Sequence, residues 1–177
     1  IDDYLCTDSG KLEIVISGGN LGPRKGLIPL FETLKKLDPS RFQVSVFGAY
    51  SNDAREFAER YPFKVKFLGF QKVNFCKQSQ FNVLRIYPAL SECMSRIHME
   101  GLFSGDRSMI YRRGIEPLLN RWVGDNIVFD SFDEIISFIE NHDYDVGKSN
   151  VCKSFRNEYR SMFCKGVDEL VSYARSL

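Results

Sequence analysis

An α/β fold, with a parallel sheet of about six strands and helices on both faces, is what the order of apolar patterns along this chain predicts. Short β-branched or aromatic runs alternate with stretches of helical apolar spacing over most of the length, the rhythm of successive βαβ units. Several of the runs also close on a residue that ends a strand: Gly48, Gly69 and Pro88. At 177 residues and 44% hydrophobic content, the chain is long enough for one well-buried domain and too short for two of ordinary size. A single domain over residues 1–177 is therefore expected.

The first strand reads Leu12 to Ile16 and the first helix Leu27 to Leu37, where Leu27, Leu30, Phe31, Leu34 and Leu37 recur at helical spacing. A second strand spans Phe42 to Phe47, a second helix Ala54 to Tyr61, and a third strand Lys64 to Leu68. After a weakly patterned stretch around Cys76 come a strand at Val83 to Tyr87, a helix near Ser95 to Phe103 and a strand at Ser108 to Tyr111. A short apolar-faced segment at Ile115 to Leu119 precedes the sixth strand, Asn126 to Phe129. Ser131 to Asn141 reads as a helix with Ser131 as N-cap, Asp133 and Glu134 in its first turn, and Phe132, Ile135, Ile136 and Ile139 on one face. The last helix, Lys153 to Arg175, carries a stripe of Phe155, Tyr159, Met162, Val167, Leu170 and Ala174 interrupted by Gly166. The linker Asp143 to Asn150 sets it apart, so it is expected to pack across the domain or onto a neighbour.

Charge excludes some partners. Lys plus Arg number 24 against 23 for Asp plus Glu, so no global basic field exists to hold a nucleic acid backbone or an acidic membrane. Any bound anion must meet a local site. The cysteines Cys6, Cys76, Cys93, Cys152 and Cys164 are odd in number and show no C-x-x-C pair, with His98 and His142 as the sole histidines. That usage favours reduced thiols in a cytoplasmic protein over a disulfide framework or a metal site. No apolar run reaches the ~18 residues a membrane span needs. The chain begins at Ile1-Asp2-Asp3 without Met, from which a partner domain outside it is expected.

Two segments suit chemistry. The first strand leads into Ser17-Gly18-Gly19-Asn20-Leu21-Gly22-Pro23-Arg24-Lys25-Gly26. Glycines let backbone turn sharply and approach a ligand, the following helix start favours an anion, and Arg24 and Lys25 add formal charge there. No Ser or Thr follows Lys25, and the glycine spacing is not G-x-G-x-x-G, so neither common phosphate fingerprint applies. The second segment, Pro88-Ala89-Leu90-Ser91-Glu92-Cys93-Met94-Ser95-Arg96-Ile97-His98-Met99-Glu100-Gly101, leaves the fourth strand and opens a helix. It puts Glu92 at the sheet's C-terminal edge, where open α/β sheets bind ligands. Glu100, one to two turns into the helix, leans back toward that crevice, and carboxylates there suit sugar or ribose diols.

These segments resemble, in order, the C-terminal domain of retaining GT-B glycosyltransferases of the group 1 type. Gly19-Asn20-Leu21-Gly22-Pro23-Arg24-Lys25-Gly26 looks like the family's glycine turn, and Val46-Phe47-Gly48 and Val65-Lys66-Phe67-Leu68-Gly69-Phe70 match further segments. Pro88, Ser91, Glu92 and Glu100 repeat its Pro-x-x-Ser-Glu-x7-Glu pattern. The resemblance runs from about Leu12 to the final helix and is loose between Asp106 and Val123. It implies a Rossmann-like domain that forms one half of a GT-B fold and binds a nucleotide-diphospho-sugar such as a UDP- or GDP-sugar. It further implies transfer with retention to a glycan or lipid-linked acceptor held by an absent N-terminal half, inactivity of this half alone, and a cytoplasmic place, peripheral to a membrane through that other half.

Residue by residue, the resemblance implies that Lys25 contacts the diphosphate, Glu100 the ribose hydroxyls and Glu92 the donor sugar. Gly19, Asn20 and Arg24 line the phosphate turn, Gly69 and Phe70 hold the base through backbone contacts, and Met94 and Ser95 approach the sugar or phosphate. Lys25 and Glu92 are the expected catalytic pair, and no metal or other cofactor is implied, because fixed cations and helix amides stabilise the departing diphosphate. The sequence departs from the family at Asn20, where Arg is usual, and at Cys93-Met94-Ser95, where Gly-Phe-Gly is common. His98 and Cys93 read as packed or pocket-lining residues, the phenylalanines as core, and Arg112-Arg113-Gly114 as a basic cluster near the donor phosphate or in solvent. An epimerase-like enzyme of the same fold and a degenerate binding domain are the alternatives; the Glu92 and Glu100 pair argues against the latter.

Overall fold

Alternation along the first strand decides which way the sheet faces. Leu12, Ile14 and Ile16 enter the main apolar core, whereas Glu13, Val15 and Ser17 point to the other side, and all six are buried. The structure, a computed structural model, describes residues 11–20, 22–50, 52–70, 83–90, 108–112, 128–141 and 150–176. Its strands are β1 (Leu12–Asn20), β2 (Phe42–Ala49), β3 (Val65–Gly69), β4 (Val83–Tyr87), β5 (Ser108–Tyr111) and β6 (Val128–Phe129). Its helices are α1 (Leu27–Leu34), α2 (Asn52–Ala58), α3 (Asp133–Glu140) and α4 (Asn150–Ser176), with a short 3-10 turn at Pro23–Lys25.

The sheet is six-stranded, ordered β3-β2-β1-β4-β5-β6, and every pairing is parallel. Fully buried parallel strands read as apolar runs, and the burial of β2 and β4 fits that origin. On one face, Leu27, Leu30, Phe31 and Leu34 of α1, Ala58 of α2, and Ile135 and Ile139 of α3 pack on Ile14, Ile16, Val44, Val46, Leu84 and Ile86. Each such aliphatic side chain contributes about 1.5–3 kcal/mol by leaving water. Toward the β3 side the core turns aromatic: Phe31 meets Tyr61 and Phe63 edge-on, both at 5.7 Å between ring centres, and Phe63 also meets Phe42 at 5.3 Å. The expectation that the phenylalanines build core is met at Phe31, Phe42, Phe63 and Phe129.

The described helices that pack on the sheet share this one face; the helices expected at Ser95 to Phe103 and Ile115 to Leu119 lie outside the described residues. The first helix ends at Leu34 rather than Leu37, yet Leu37 stays buried because the chain turns on backbone bonds from Lys36 to Thr33 and from Leu37 to Leu34. Ser131, expected as the N-cap, stands one residue before the N-cap position, which Phe132 occupies without a side-chain cap bond. It still braces the helix start: its Oγ accepts from the Asp133 amide at 3.3 Å, while Glu134 Oε1 accepts from the Ser131 amide at 2.9 Å. The final helix runs straight through Gly166, which costs about 1 kcal/mol relative to Ala but need not break a helix. Of the stripe expected to pack across the domain or onto a neighbour, Val167 and Leu170 stay exposed on this chain, so at those positions the helix does not pack across the domain.

Candidate functional site

Strand order places the site. In a sheet ordered 3-2-1-4-5-6 the chain reverses its direction of growth between β1 and β4, so the loops leaving their C-terminal ends diverge and open a crevice. The two segments singled out from sequence are those two loops. β1 and β4 are directly paired, Val15 opposite Arg85, so the loops start from neighbouring strand ends.

β1 is longer than its apolar run. It continues through Gly18 and Gly19 to Asn20, which pairs with Ala49 after a shift in register beyond Ser17. Gly19 and Asn20, expected in a turn, therefore lie on the end of a strand. The cause is Gly48, held at φ 123°, where an added Cβ would stand 1.7 Å from the Gly18 carbonyl oxygen. With no side chain there, the β1 and β2 backbones close on each other and the ladder outruns the hydrophobic signal.

The turn proper is Pro23–Lys25, in which the Lys25 amide donates to the Gly22 carbonyl at 2.9 Å. Pro suits the first position of such a turn, since its fixed φ is already helical. Gly26 then adopts a left-handed φ of 67° and starts α1, its carbonyl accepting from the Leu30 amide at 3.1 Å. Its missing side chain has a second use: a Cβ would lie 1.9 Å from the Pro88 carbonyl oxygen. Two residues away on each loop, the Leu90 amide donates to the Arg24 carbonyl at 2.8 Å. The glycine turn and the β4 loop are thus clasped through main-chain atoms.

Arg24 is exposed on this clasp and Lys25 is half-buried within it. Burial, and then the charge of Arg24 beside it, hold the Lys25 ammonium below the usual lysine range. Two cations near each other at a helix start, with no side-chain cap on α1, are residue types and a position suited to an anion.

Of the other predicted residues, Gly69 and Phe70 end β3, with Gly69 at φ 66° in open space and Phe70 74% exposed. Two strand spacings separate β3 from β1, about 10 Å. Glu92, Met94, Ser95 and Glu100, with Cys93 and His98, lie outside the described residues. Arg112 is placed: its Nε donates to Asp130 Oδ1 at 2.7 Å, an exposed pair at the ends of β5 and β6, and Arg113 lies outside the described residues. Among the described residues no group of His, Cys, Asp and Glu is arranged to hold a metal ion.

Sequence reading missed a polar layer on the second face of the sheet. Glu13, Ser17, Gln43, Ser45, Arg85 and Ser108 are all buried there among Val15, Phe47 and Val83. Glu13 accepts from Ser45 Oγ and Gln43 Nε2, and burial outweighs those bonds to push its carboxyl above the usual range. Arg85, 0% exposed, donates to Ser17 Oγ. A signal did exist: Arg85 interrupts Val83-Leu84-Arg85-Ile86-Tyr87, and a charge inside so apolar a strand must be bonded to be tolerated.

No protein-family model matches the sequence, and no curated protein matches it either. Solved structures do. The catalytic domain of cholesterol-α-glucosyltransferase from Helicobacter pylori is similar with a TM-score of 0.62 at 16% identity, over 82% of this chain and 99% of that one. HepE from Anabaena, solved in complex with UDP and glucose, has a TM-score of 0.68 at 14% identity over 92% of this chain. This chain spans about half, 48%, of the length of HepE. The C-terminal domain of a group 1 glycosyl transferase, LpcC, from Francisella tularensis gives 0.60 at 17% identity, over 85% of this chain and 87% of that domain. The six-stranded parallel sheet, its strand order and these likenesses together give the chain the Rossmann-like fold found in GT-B glycosyltransferases.

Proposed function

We propose that this chain is the donor-binding half of a glycosyltransferase and holds a nucleotide-diphospho-sugar in the crevice between the ends of β1 and β4. The observation that carries the reading is the clasp itself: Arg24 and a half-buried Lys25 at the start of α1, bound by main-chain contacts to the Pro88–Leu90 loop. HepE, of similar fold, has been solved with UDP and with UDP-glucose, which supports a uridine nucleotide as the first ligand to try.

In this reading Lys25 meets the diphosphate and neutralises the charge that grows on it as the sugar departs, so that no metal is required. Arg24 adds charge from the rim, Gly19 and Asn20 shape the floor, and Gly69 and Phe70 receive the base. Glu100 takes the ribose diol, and Glu92, with Met94 and Ser95, faces the sugar. Transfer proceeds with retention, to an acceptor supplied by a second domain that a two-domain enzyme of this fold places across the crevice, and the chain alone binds without turning over. The site belongs to the cytoplasm, and membrane association comes through the other half; among the described residues no helix is long and apolar enough to cross a membrane.

Calorimetric titration of the chain with UDP, GDP and the corresponding nucleosides, with and without EDTA, tests this. Binding of a diphosphate that exceeds its nucleoside and survives EDTA is the expected result. No binding of any nucleoside diphosphate at millimolar concentration rejects the reading.

A further inference from the structure

β3 stands first in the strand order, so among the described residues its outer edge is unpaired, and α2 packs beside it. Between the two lies a cavity of about 400 Å³, within the range of small-molecule sites. Phe63, Val65 and Phe67 form one wall, alternating along β3 and the residues before it, and Arg55, Ala58 and Glu59 form the other at helical spacing. Tyr61 closes the end where the chain passes from helix to strand, its ring stacked on that of Phe63 at 5.3 Å between centres. Tyr61, Val65 and Phe67 are each half-buried, so apolar and aromatic surface stays wet inside the cavity.

An arginine and a glutamate four residues apart on a helix ordinarily pair. Among the described residues Arg55 and Glu59 form no ion pair with each other or with any other side chain. Arg55 turns instead toward the end of β2. Its guanidinium carbon lies 5.4 Å from the Tyr50 ring centre and 5.9 Å from that of Phe67, and Nη2 donates to Tyr50 Oη at 2.9 Å. Tyr50 and Phe67 hold each other as well, with ring centres 4.5 Å apart. The guanidinium is thus steadied by two rings and a hydrogen bond, with most of its N–H donors unspent at the mouth of an aromatic cavity.

A planar fork held in this way matches a carboxylate, whose two oxygens accept side by side. Glu59, at the same cavity, opposes a second negative charge, so a dianion fits worse than a monocarboxylate with an apolar body. We propose that the cavity between α2 and β3 is a second ligand site, apart from the crevice, and takes a small aromatic monocarboxylate: the ring lies against Tyr61, Phe63 and Phe67, and the carboxylate meets Arg55. The site does not depend on the nucleotide-binding reading.

The test titrates the chain calorimetrically with indole-3-acetate, its neutral amide and octanoate, first alone and then in the presence of millimolar UDP. Indole-3-acetate should bind at about 1 mM or tighter, with the amide and octanoate each weaker by about ten-fold. Equal binding of acid and amide overturns the carboxylate, and octanoate binding as tightly as indole-3-acetate overturns the aromatic class. Arg55→Gln, on an exposed residue and checked for a cooperative thermal transition, should bring the acid down to the amide while the amide stays within about two-fold. Arg55→Lys keeps charge without the fork and should recover part of the loss, whereas Glu59→Gln should strengthen the acid by about two-fold. Unchanged binding of the acid to both Arg55 variants overturns the proposal; should Arg55→Gln fail to fold, Arg55→Lys alone decides by the same comparison. UDP should leave the affinity for indole-3-acetate within about two-fold, and displacement by UDP would put the acid in the crevice and overturn the second site. A chain that binds the acid but no nucleoside diphosphate keeps this inference and loses the nucleotide reading alone.

Discussion

Gly26 does two things that no other residue type does at once: it holds a left-handed backbone and leaves room for the Pro88 carbonyl. Gly26→Ala is expected to cost about 3 kcal/mol or more, read from urea unfolding, since strain and a 1.9 Å overlap with main-chain oxygen act together. Lys25 answers to pH. Its pKa in the free chain is depressed from 10.5, and a bound diphosphate would raise it. Binding at alkaline pH should therefore take up protons, and affinity should fall as pH rises through the depressed pKa; calorimetry in buffers of different ionisation enthalpy reads this directly, and Lys25→Ala should abolish it. Glu13 behaves oppositely in stability. Its folded pKa lies above the unfolded value, so the fold binds its proton more tightly, and stability should decline as pH climbs from about 4.5 through that raised pKa. Glu13→Gln should flatten that part of a urea-unfolding pH series.

At the scale of the element, what the sequence discloses depends on whether an element is set by apolar period or by close backbone approach. β4 and β5 have the bounds their apolar runs predict, and the start of α3 was legible in Ser131 and in the acidic first turn of Asp133 and Glu134. Ser131→Ala and Glu134→Ala should each cost about 1 kcal/mol, and the double variant less than their sum, because each bond aligns the other. β1 escaped the same reading at its far end, since Gly18 and Gly19 carry no pattern and the partner that admits them, Gly48, lies in another strand. The polar layer escaped for a related reason: Glu13 and Arg85 occupy strand positions where alternation predicts either core or solvent, and only the covering of the second face makes them interior. In α4 the apolar stripe stays exposed on this chain at Val167 and Leu170. Leu170→Lys, at a position 69% exposed, should change the stability of the sheet domain by no more than about 0.5 kcal/mol in thermal unfolding.

For the molecule as a whole, the order of strands was the one thing that periodicity did not supply. Alternation of strand and helix predicts a parallel sheet, but the placement of β4 beside β1 is set by long-range pairing, and it is this that joins the two loops read from sequence. Identities of 14–17% to solved neighbours show how little of that arrangement is written in individual side chains. The clasp between the loops explains part of this tolerance. Leu90 gives its amide and Arg24 its carbonyl, groups that nearly every amino acid carries, so mutation can rewrite both side chains over generations while the joint stays shut. Only proline at position 90 lacks the needed hydrogen. Such a seam holds the distance between the lips by groups that do not depend on the chemistry either lip carries.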